Sequence, residues 1–369
     1  MKLIINKDTL LKPLLAVQGV VERRQTLPIL SNLLMVLRDG VLSVTATDME
    51  VELVSSTNVD GGTEGEVTVP ARKMIDICRS LPDGAEIAFQ VEGERAVVQS
   101  GRSRFTLTTL PAGDYPSSDG LSDALQMSLP QGDIKTLIDL TQFAMANQDV
   151  RYYLNGLLLE IGSEGVSAIA TDGHRLAMAD LACKTGHAGD VRQIIVPRKA
   201  VAELSRLLGH EDGELLIEIG SNAISVSLGT IQMTSKLIDG RFPDYQKVIP
   251  DIDEGVRQIS VGREAFRQSL ARASILSNEK YKAVRLALDT GVIRVMANNP
   301  DQEEAQDELE VDYDGGGLEI GFNVSYLMDA LSVLPTDTAL VFLTDSSSSC
   351  LIRGEGREDC QYVVMPMRL

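Results

Sequence analysis

Residues 196 to 208 read VPRKAVAELSRLL, and residues 69 to 81 read VPARKMIDICRSL. The shift that lays Pro70 over Pro197 also lays Pro116, in GDYP, over Pro243, in GRFP. Two landmarks far apart in the chain thus share one register, which a chance likeness between two helices would not produce. A third, weaker copy, NVSYLMDALSVL, places Asn323 over Pro197 at a shift one residue shorter; its apolar spacing survives although the proline and the basic pair do not. The chain is read as a threefold repeat. Units of this length exceed the ~20–50 residues of solenoid repeats, so each can enclose its own core and counts as a domain. The expected domains are 1–125, 126–252 and 253–369, with linkers near DGLSDALQ and PDIDEGVRQ.

Outward from that helix, the first unit opens with a strand, KLIIN, and a helix expected from Asp8 to Val21. Asp8 is its expected cap, Pro13 falls within its first turn or so, and Leu10, Leu11, Leu14, Leu15 and Val17 form an apolar stripe. The following LPILSNLLMVLRDGVLSVTATDMEVELVSS alternates as a hairpin series with a turn at Asp39-Gly40. The second unit repeats the order through GDIKTLIDLTQFAMA and the third through GREAFRQSLARASIL. Thr47-Asp48, Thr171-Asp172 and Asn298-Asn299 occupy equivalent turns. Two helices and about eight hairpin-connected strands per unit make the fold α+β with antiparallel sheets. The helix–strands–helix–strands order points to a further twofold repeat inside each unit.

Composition narrows the function. Of 369 residues 44% are hydrophobic but 4% are aromatic and none is Trp, unlike proteins that stack bases on aromatic platforms. Lys7, Asp8 and Lys12 interrupt the N-terminus before a signal-peptide core forms, and no apolar run approaches the ~18 residues of a membrane span, so a soluble cytoplasmic protein with no membrane partner is expected. Cys78, Cys183, Cys350 and Cys360 form no CxxC pair, and the single His near any of them, His187 after Cys183, makes no ligand set, against zinc and against a disulfide framework. The net charge of −19 is most concentrated in the last third and repels DNA as a whole. A nucleic-acid role therefore requires the bases to be gathered on one surface.

TDGHRLA, 171 to 177, holds Asp172, His174 and Arg175 and is the one place that suggests catalysis. An Asp–His pair can act as orienter and base, but no Ser or Cys nucleophile lies in a recognisable elbow beside it, and turn chemistry accounts for the Asp. No GxxxxGK[ST] is present, so no recognised route to nucleotide hydrolysis exists. Arg72 and Arg79 stand at i, i+7 on one helix and Lys199 and Arg206 do so on its counterpart; Lys12, Lys135, Arg263 and Arg267 decorate the other helix class. Singly, each is a solvated helix face; the repeat makes them a common lining. DQEEAQDELEVDYD, 301 to 314, carries eight acids and no base, a solvated edge or a docking surface for a basic partner. The ending CQYVVMPMRL is apolar and Met-bearing, which suits a core or an adaptable pocket.

These units, with NQDVRYYLNG, TDGHRLA, SKLIDGRFPDY, NEKY, IGFNVSY and YVVMPMRL, resemble the bacterial sliding clamp family, the beta subunits of DNA polymerase III, over the whole chain. The resemblance implies three clamp domains forming a crescent, and a head-to-tail homodimer that closes a six-domain ring around duplex DNA, helices inside and sheets outside. It implies a non-catalytic processivity factor without metal or cofactor, opened by a separate ATP-driven clamp loader. Its partners would be the replicative polymerase alpha subunit and other polymerases and repair proteins carrying clamp-binding peptides. Two competing readings are an enzyme built on Asp172 and His174 and a monomeric peptide-binding adaptor.

Residue by residue, the resemblance implies DNA contacts at Arg24, Arg72, Lys73, Gln148 and Arg151, and at Tyr152, Tyr153, Arg198 and Lys199. The third copy of the second helix lacks the basic pair. The implied partner-peptide cleft takes Leu154, Thr171, Gly173, His174, Arg175 and Leu176 from the second unit, followed by Pro243, Lys247 and Val248. Asn323, Tyr326, Val363, Val364, Met365, Pro366 and Met367 complete it, with Ser347 making its floor more polar than in relatives. At the implied dimer contact Phe105 meets Ile275 and Leu276 of the second copy, while Lys73 and Arg102 face Glu303 and Glu304.

Overall fold

The computed structural model describes residues 1–21, 27–118, 121, 124–252 and 255–368. Arg24 and part of both expected linkers lie outside them. Along the chain the order strand, helix, three strands runs six times in succession, twice in each third, which is the internal twofold repeat the helix spacing suggested. Among the described residues the six α-helices are α1 (Lys7–Val17), α2 (Ala71–Ser80), α3 (Gln131–Thr141), α4 (Arg198–Leu207), α5 (Arg263–Ser274) and α6 (Val324–Val333).

The first helix departs from expectation at both ends. Asn6, not Asp8, caps α1: its side chain accepts the Asp8 backbone N–H at 2.8 Å, while the Asp8 carboxylate accepts Gly84 N–H at 3.1 Å. The α-helix ends at Val17 and tightens into a 3-10 turn, Gln18–Val20, instead of reaching Val21. Pro13 lies beyond the first turn, inside the helix, with its ring buried.

In α2, Ala71, Met74, Ile75 and Cys78 are buried at i, i+3, i+4 and i+7, leaving Arg72, Lys73, Asp76 and Arg79 exposed on the opposite face. Burying Met74 and Ile75 alone contributes roughly 1.5–3 kcal/mol each, enough to fix which face is wet. The parallel expected for α4 sets Lys199 and Arg206 against Arg72 and Arg79; Lys199 is half-buried where Arg72 is exposed, and Arg206 is taken up by neighbours. Arg206 pairs with Glu203 at 2.8 Å and donates to the Ala16 carbonyl at 2.6 Å, so it satisfies the open C-terminus of α1.

Contacts divide the chain into two compact units, Met1–Gly132 with Ala202–Leu237, and Asp133–Val201 with Ile238–Leu369. Each unit holds one eight-stranded and one four-stranded antiparallel sheet. In the first, the large sheet runs Gly65–Pro70, Asn32–Arg38, Val41–Thr47, Val51–Asn58, Ile231–Lys236, Ala223–Leu228, Glu214–Ile219, Leu125–Pro130. In the second it runs Arg192–Pro197, Gly156–Ile161, Gly165–Thr171, Arg175–Ala182, Arg357–Val364, Cys350–Gly354, Thr338–Leu343, Arg257–Gly262. Both large sheets obey one rule: the last strand of an earlier strand–helix–three-strand motif pairs with the last strand of a later one. Leu53 thus faces Met233, and Ala177 faces Tyr362. The hairpin at Asp39-Gly40 forms as its residues require, both at positive φ (49° and 72°), as the twist of a two-residue turn demands.

Each small sheet leaves the corresponding strand at an edge. In the first unit the order is Lys2–Asn6, Glu86–Glu92, Arg95–Ser100, Ser103–Thr108; in the second it is Glu304–Glu310, Val292–Asn298, Ala283–Asp289, Leu318–Asn323. Ser103–Thr108 and Glu304–Glu310 therefore present unpaired backbone N–H and C=O groups along one side.

Candidate functional site

The site begins with the Thr171-Asp172 turn. Thr171 Oγ1 donates to the Arg175 carbonyl at 2.6 Å and accepts Gly173 N–H at 3.1 Å; Asp172 Oδ1 accepts the backbone N–H groups of His174 and Arg175 at 2.9 and 3.1 Å. The same bonds recur one repeat earlier, where Thr47 Oγ1 donates to Val51 O and accepts Met49 N–H, and Asp48 Oδ1 accepts from Glu50 and Val51. Asp172 is thus the brace of a repeated turn. Its second oxygen accepts Arg175 Nε at 3.2 Å, while the His174 ring stacks on Tyr326, centroids 6.3 Å apart. An Asp172–His174 catalytic pair is not formed.

Arg175 is the organiser of this end of the strand. Its guanidinium bonds Asp172, Asp329 (2.5 Å) and the Phe143 carbonyl (2.8 Å), and lies over the rings of Tyr326 and Phe143 at 4.7 and 5.2 Å. A charge this fully partnered makes a rigid wall. Beside it opens a cavity of about 190 Å³ lined by Leu154, Thr171, Gly173, Arg175, Leu176 and Pro243, and by Val248, Val363 and Met365. All nine were expected in the cleft. Of its lining, Leu154, Leu176, Tyr245 and Val363 belong to a buried cluster that also holds Leu158 and Phe342. Met365 is held by its N–H bond to the His174 carbonyl, 2.9 Å, so the apolar chain end continues the strand into the cavity wall.

Sequence reasoning did not assign four further lining residues to the cleft: Arg151, Tyr153, Asp244 and Tyr245. Tyr245 donates to Glu160 Oε2 at 2.9 Å; burial, first, and this bond push its phenol pKa up. The shift relating GDYP to GRFP placed Tyr245 beside Pro243, and that was a usable signal. Arg151 and Tyr153 had been allotted to DNA. Arg151 forks onto Asp149 (3.0 and 2.9 Å) and reaches the Asp172 carbonyl at 3.2 Å.

The remaining expected cleft residues stand around the cavity without lining it. Tyr326 carries the stack on His174 and Arg175, with its pKa raised by burial. Asn323 caps α6 by accepting Ser325 N–H at 2.9 Å. Lys247 is exposed and paired with Asp244 at 2.8 Å; Val364 pairs with Arg175 in the sheet, two residues before Pro366; Met367 N–H bonds Gly321 O at 2.8 Å. Ser347 sits in an exposed turn where Asp345 accepts its N–H and hydroxyl, so it does not make a floor.

Of the expected DNA residues, Arg72 and Lys73 are exposed on α2, and Arg198 is exposed at the start of α4 with one guanidinium N–H on the Met145 carbonyl at 2.7 Å. Lys199 follows it, half-buried, in the first turn of α4. Gln148, at φ 57°, and Tyr152, 57% exposed, lie on one loop, which also carries Val150 at 96% exposure. Among the expected dimer residues, Ile275 is 77% exposed at the end of α5 with Leu276 half-buried after it, Phe105 is half-buried on the edge strand, and Arg102, Glu303 and Glu304 are exposed. No group of His, Cys, Asp and Glu among the described residues is arranged to hold a metal ion, and no helix of theirs is long and apolar enough to cross a membrane.

Three family models match in series: the N-terminal, central and C-terminal domains of the DNA polymerase III beta subunit, over residues 1–119, 128–244 and 246–368. The chain is 51% identical to the beta sliding clamp of Pseudomonas aeruginosa over 371 residues, and 49% identical to that of Escherichia coli over 370, covering each pair fully. Among solved structures, a P. aeruginosa sliding clamp bound to griselimycin superposes with a TM-score of 0.96 at 50% identity, and one from Caulobacter crescentus with 0.92 at 38%, again over all of both chains.

Proposed function

The chain belongs to the DNA polymerase III beta subunit family, and from that premise we infer that it is a non-catalytic processivity factor: a sliding clamp that encircles duplex DNA and tethers the replicative polymerase through its apolar cleft. The observation that carries the ring is the strand rule. Both eight-stranded sheets form where the last strand of one motif meets that of another, and the rule leaves Ser103–Thr108 and Glu304–Glu310 as the two unmatched strands. A second copy supplies each with its counterpart, and two copies joined twice leave no last strand of a motif unmatched.

The register of the first large sheet, in which Leu53 meets Met233 and Val54 meets Gln232, supports pairing Phe105 of one copy with Ala305 of the other, near Ile275 and Leu276. Arg102 and Lys73 then face the acidic strand that starts at Glu303 and Glu304, which assigns that block a partner. The domain bounds 1–125, 126–252 and 253–369 are proposed on the same repeat. The exposed bases Arg72, Lys73 and Arg198, with half-buried Lys199 and with Arg24, Gln148, Arg151, Tyr152 and Tyr153, are proposed to meet phosphates weakly and without sequence preference, so that a topologically held ring slides. An extended peptide from the alpha subunit, the clamp loader or another polymerase or repair protein fits the cleft, its apolar side chains entering between Leu176, Val248, Val363 and Met365.

Sedimentation of the wild type and of Ile275→Asp/Leu276→Asp tests the ring. A wild-type dimer that the double variant reduces to monomers supports it. A wild-type monomer at micromolar concentration removes the ring and leaves a peptide-binding adaptor. Retention on linear DNA with blocked ends, lost when the ends are freed, separates a ring from a protein that simply adheres.

A further inference from the structure

The repeat that builds the apolar cavity builds a second one in the first unit, about 320 Å³ in volume. The shift that lays Pro116 over Pro243 also lays Ser117 over Asp244, Ser118 over Tyr245 and Leu121 over Val248, and all eight residues line their respective cavities. The equivalent turns do the same, with Thr47, Met49, Val51 and Glu52 standing where Thr171, Gly173, Arg175 and Leu176 stand. Strand pairing completes the match. Ser235 faces Val51 as Val364 faces Arg175, so Thr234 and Lys236 take the places of Val363 and Met365.

The walls correspond but the chemistry does not. Leu176 is replaced by Glu52, Tyr245 by Ser118, Val363 by Thr234 and Met365 by Lys236, and exposed Glu50 stands where His174 does. Glu52 accepts the Ser118 N–H at 3.3 Å, which ties two walls together. Two carboxylates, Glu50 and Glu52, against one ammonium leave the lining negative, while Met49, Pro116 and Leu121 keep an apolar corner. A site of this shape suits an extended backbone, as its apolar twin does; its charge selects cations and its corner one apolar side chain.

We propose that this cavity docks a short, extended, basic segment of a partner protein, with lysine or arginine on Glu50 and Glu52 and one aliphatic side chain between Met49, Pro116 and Leu121. The inference rests on the internal repeat and on this cavity's own lining, and stands whether or not the protein closes into a ring. The test is fluorescence anisotropy with a labelled hexapeptide, Lys-Lys-Leu-Ser-Lys-Gly, at low salt. The dissociation constant is expected to rise at least tenfold in Glu50→Gln/Glu52→Gln and in Ser118→Trp, which fills the cavity from an exposed position. It should stay unchanged in Met365→Lys, which obstructs the apolar cavity, and in Glu355→Gln/Glu358→Gln, which removes two exposed acids elsewhere. Three outcomes overturn the proposal: no saturable binding to the wild type; equal loss in the Glu355/Glu358 variant, which marks diffuse attraction to an acidic surface; or loss in Met365→Lys with retention in Ser118→Trp, which places the peptide in the apolar cavity.

Discussion

The guanidinium of Arg151 occupies the space that a side chain at Gly173 would enter: a Cβ built there falls 2.9 Å from both terminal nitrogens. Gly173 also sits at φ 87°, where the equivalent turn holds Met49 at 76°, so a side chain is admitted there at some backbone strain, and the guanidinium that Asp149 holds must shift to make room for it. Gly173→Ala should therefore cost about 1–3 kcal/mol through the left-handed backbone and the displaced guanidinium. Urea denaturation reads the stability, and peptide titration reads the cleft. Unchanged stability and affinity would show that Arg151 moves aside freely.

Asp149 holds Arg151 in place, and the side-chain and backbone hydrogen bonds from Arg151 keep its carboxyl at about 2. A depressed folded value means the contribution is fully present above the ordinary carboxylate pKa, ~3.9, and fades as pH falls from there through about 2. The Arg151 wall of the cleft is expected to be indifferent to pH between 5 and 8. Carboxyl-carbon NMR should place the Asp149 midpoint near 2; a midpoint near 4 would mean the pair is open in solution.

Phe105 projects from the unmatched strand Ser103–Thr108 of the first unit. Phe105 is proposed as the central aromatic of the dimer contact, so its truncation to Ala should weaken association by roughly 2 kcal/mol, about thirtyfold in the dimer dissociation constant. Sedimentation equilibrium measures this, and the monomer's melting temperature should barely change because Phe105 is only half-buried.

Arg72 and Lys73 point away from the buried face of α2. In Arg72→Ala/Lys73→Ala the affinity for an open duplex oligonucleotide should fall, and its logarithmic salt slope should flatten by about 0.9 per lost phosphate contact. Retention on end-blocked DNA should not change, because topology, not charge, holds a closed ring. Loss of retention would instead make these residues the principal attachment.

The large cleft residues test the peptide site directly. Met365→Ala removes a flexible apolar wall and should reduce affinity for an apolar peptide about tenfold, with little effect on folding because Met365 is only partly buried. An unchanged affinity would place the peptide elsewhere on the unit.

Much of this was legible in the linear chain because it is periodic. The matching prolines, Pro70 with Pro197 and Pro116 with Pro243, established the repeat, and the i, i+3, i+4, i+7 stripe of α2 determined which bases face water. The Thr-Asp turns could be matched by sequence alone, since Asp172 bonds residues two and three places on and needs nothing distant. Local chemistry also misled: Asp8 reads as a cap, yet Asn6 two positions earlier takes that role and Asp8 turns to Gly84.

Tertiary structure decided what depends on partners far along the chain. Arg206 looks like the twin of Arg79 until its bond to the Ala16 carbonyl, 190 positions away, makes it a helix cap. Arg151 and Tyr153 carry nothing in their sequence that assigns them to the cleft, yet the fold brings both to it beside Gly173 and Pro243. Which strands meet to make eight-stranded sheets, and therefore which two remain unmatched, is set by long-range hydrogen bonding that apolar alternation does not encode. The repeating motif and its faces follow from residue spacing alone; the cavities follow from which copies of the motif are brought together.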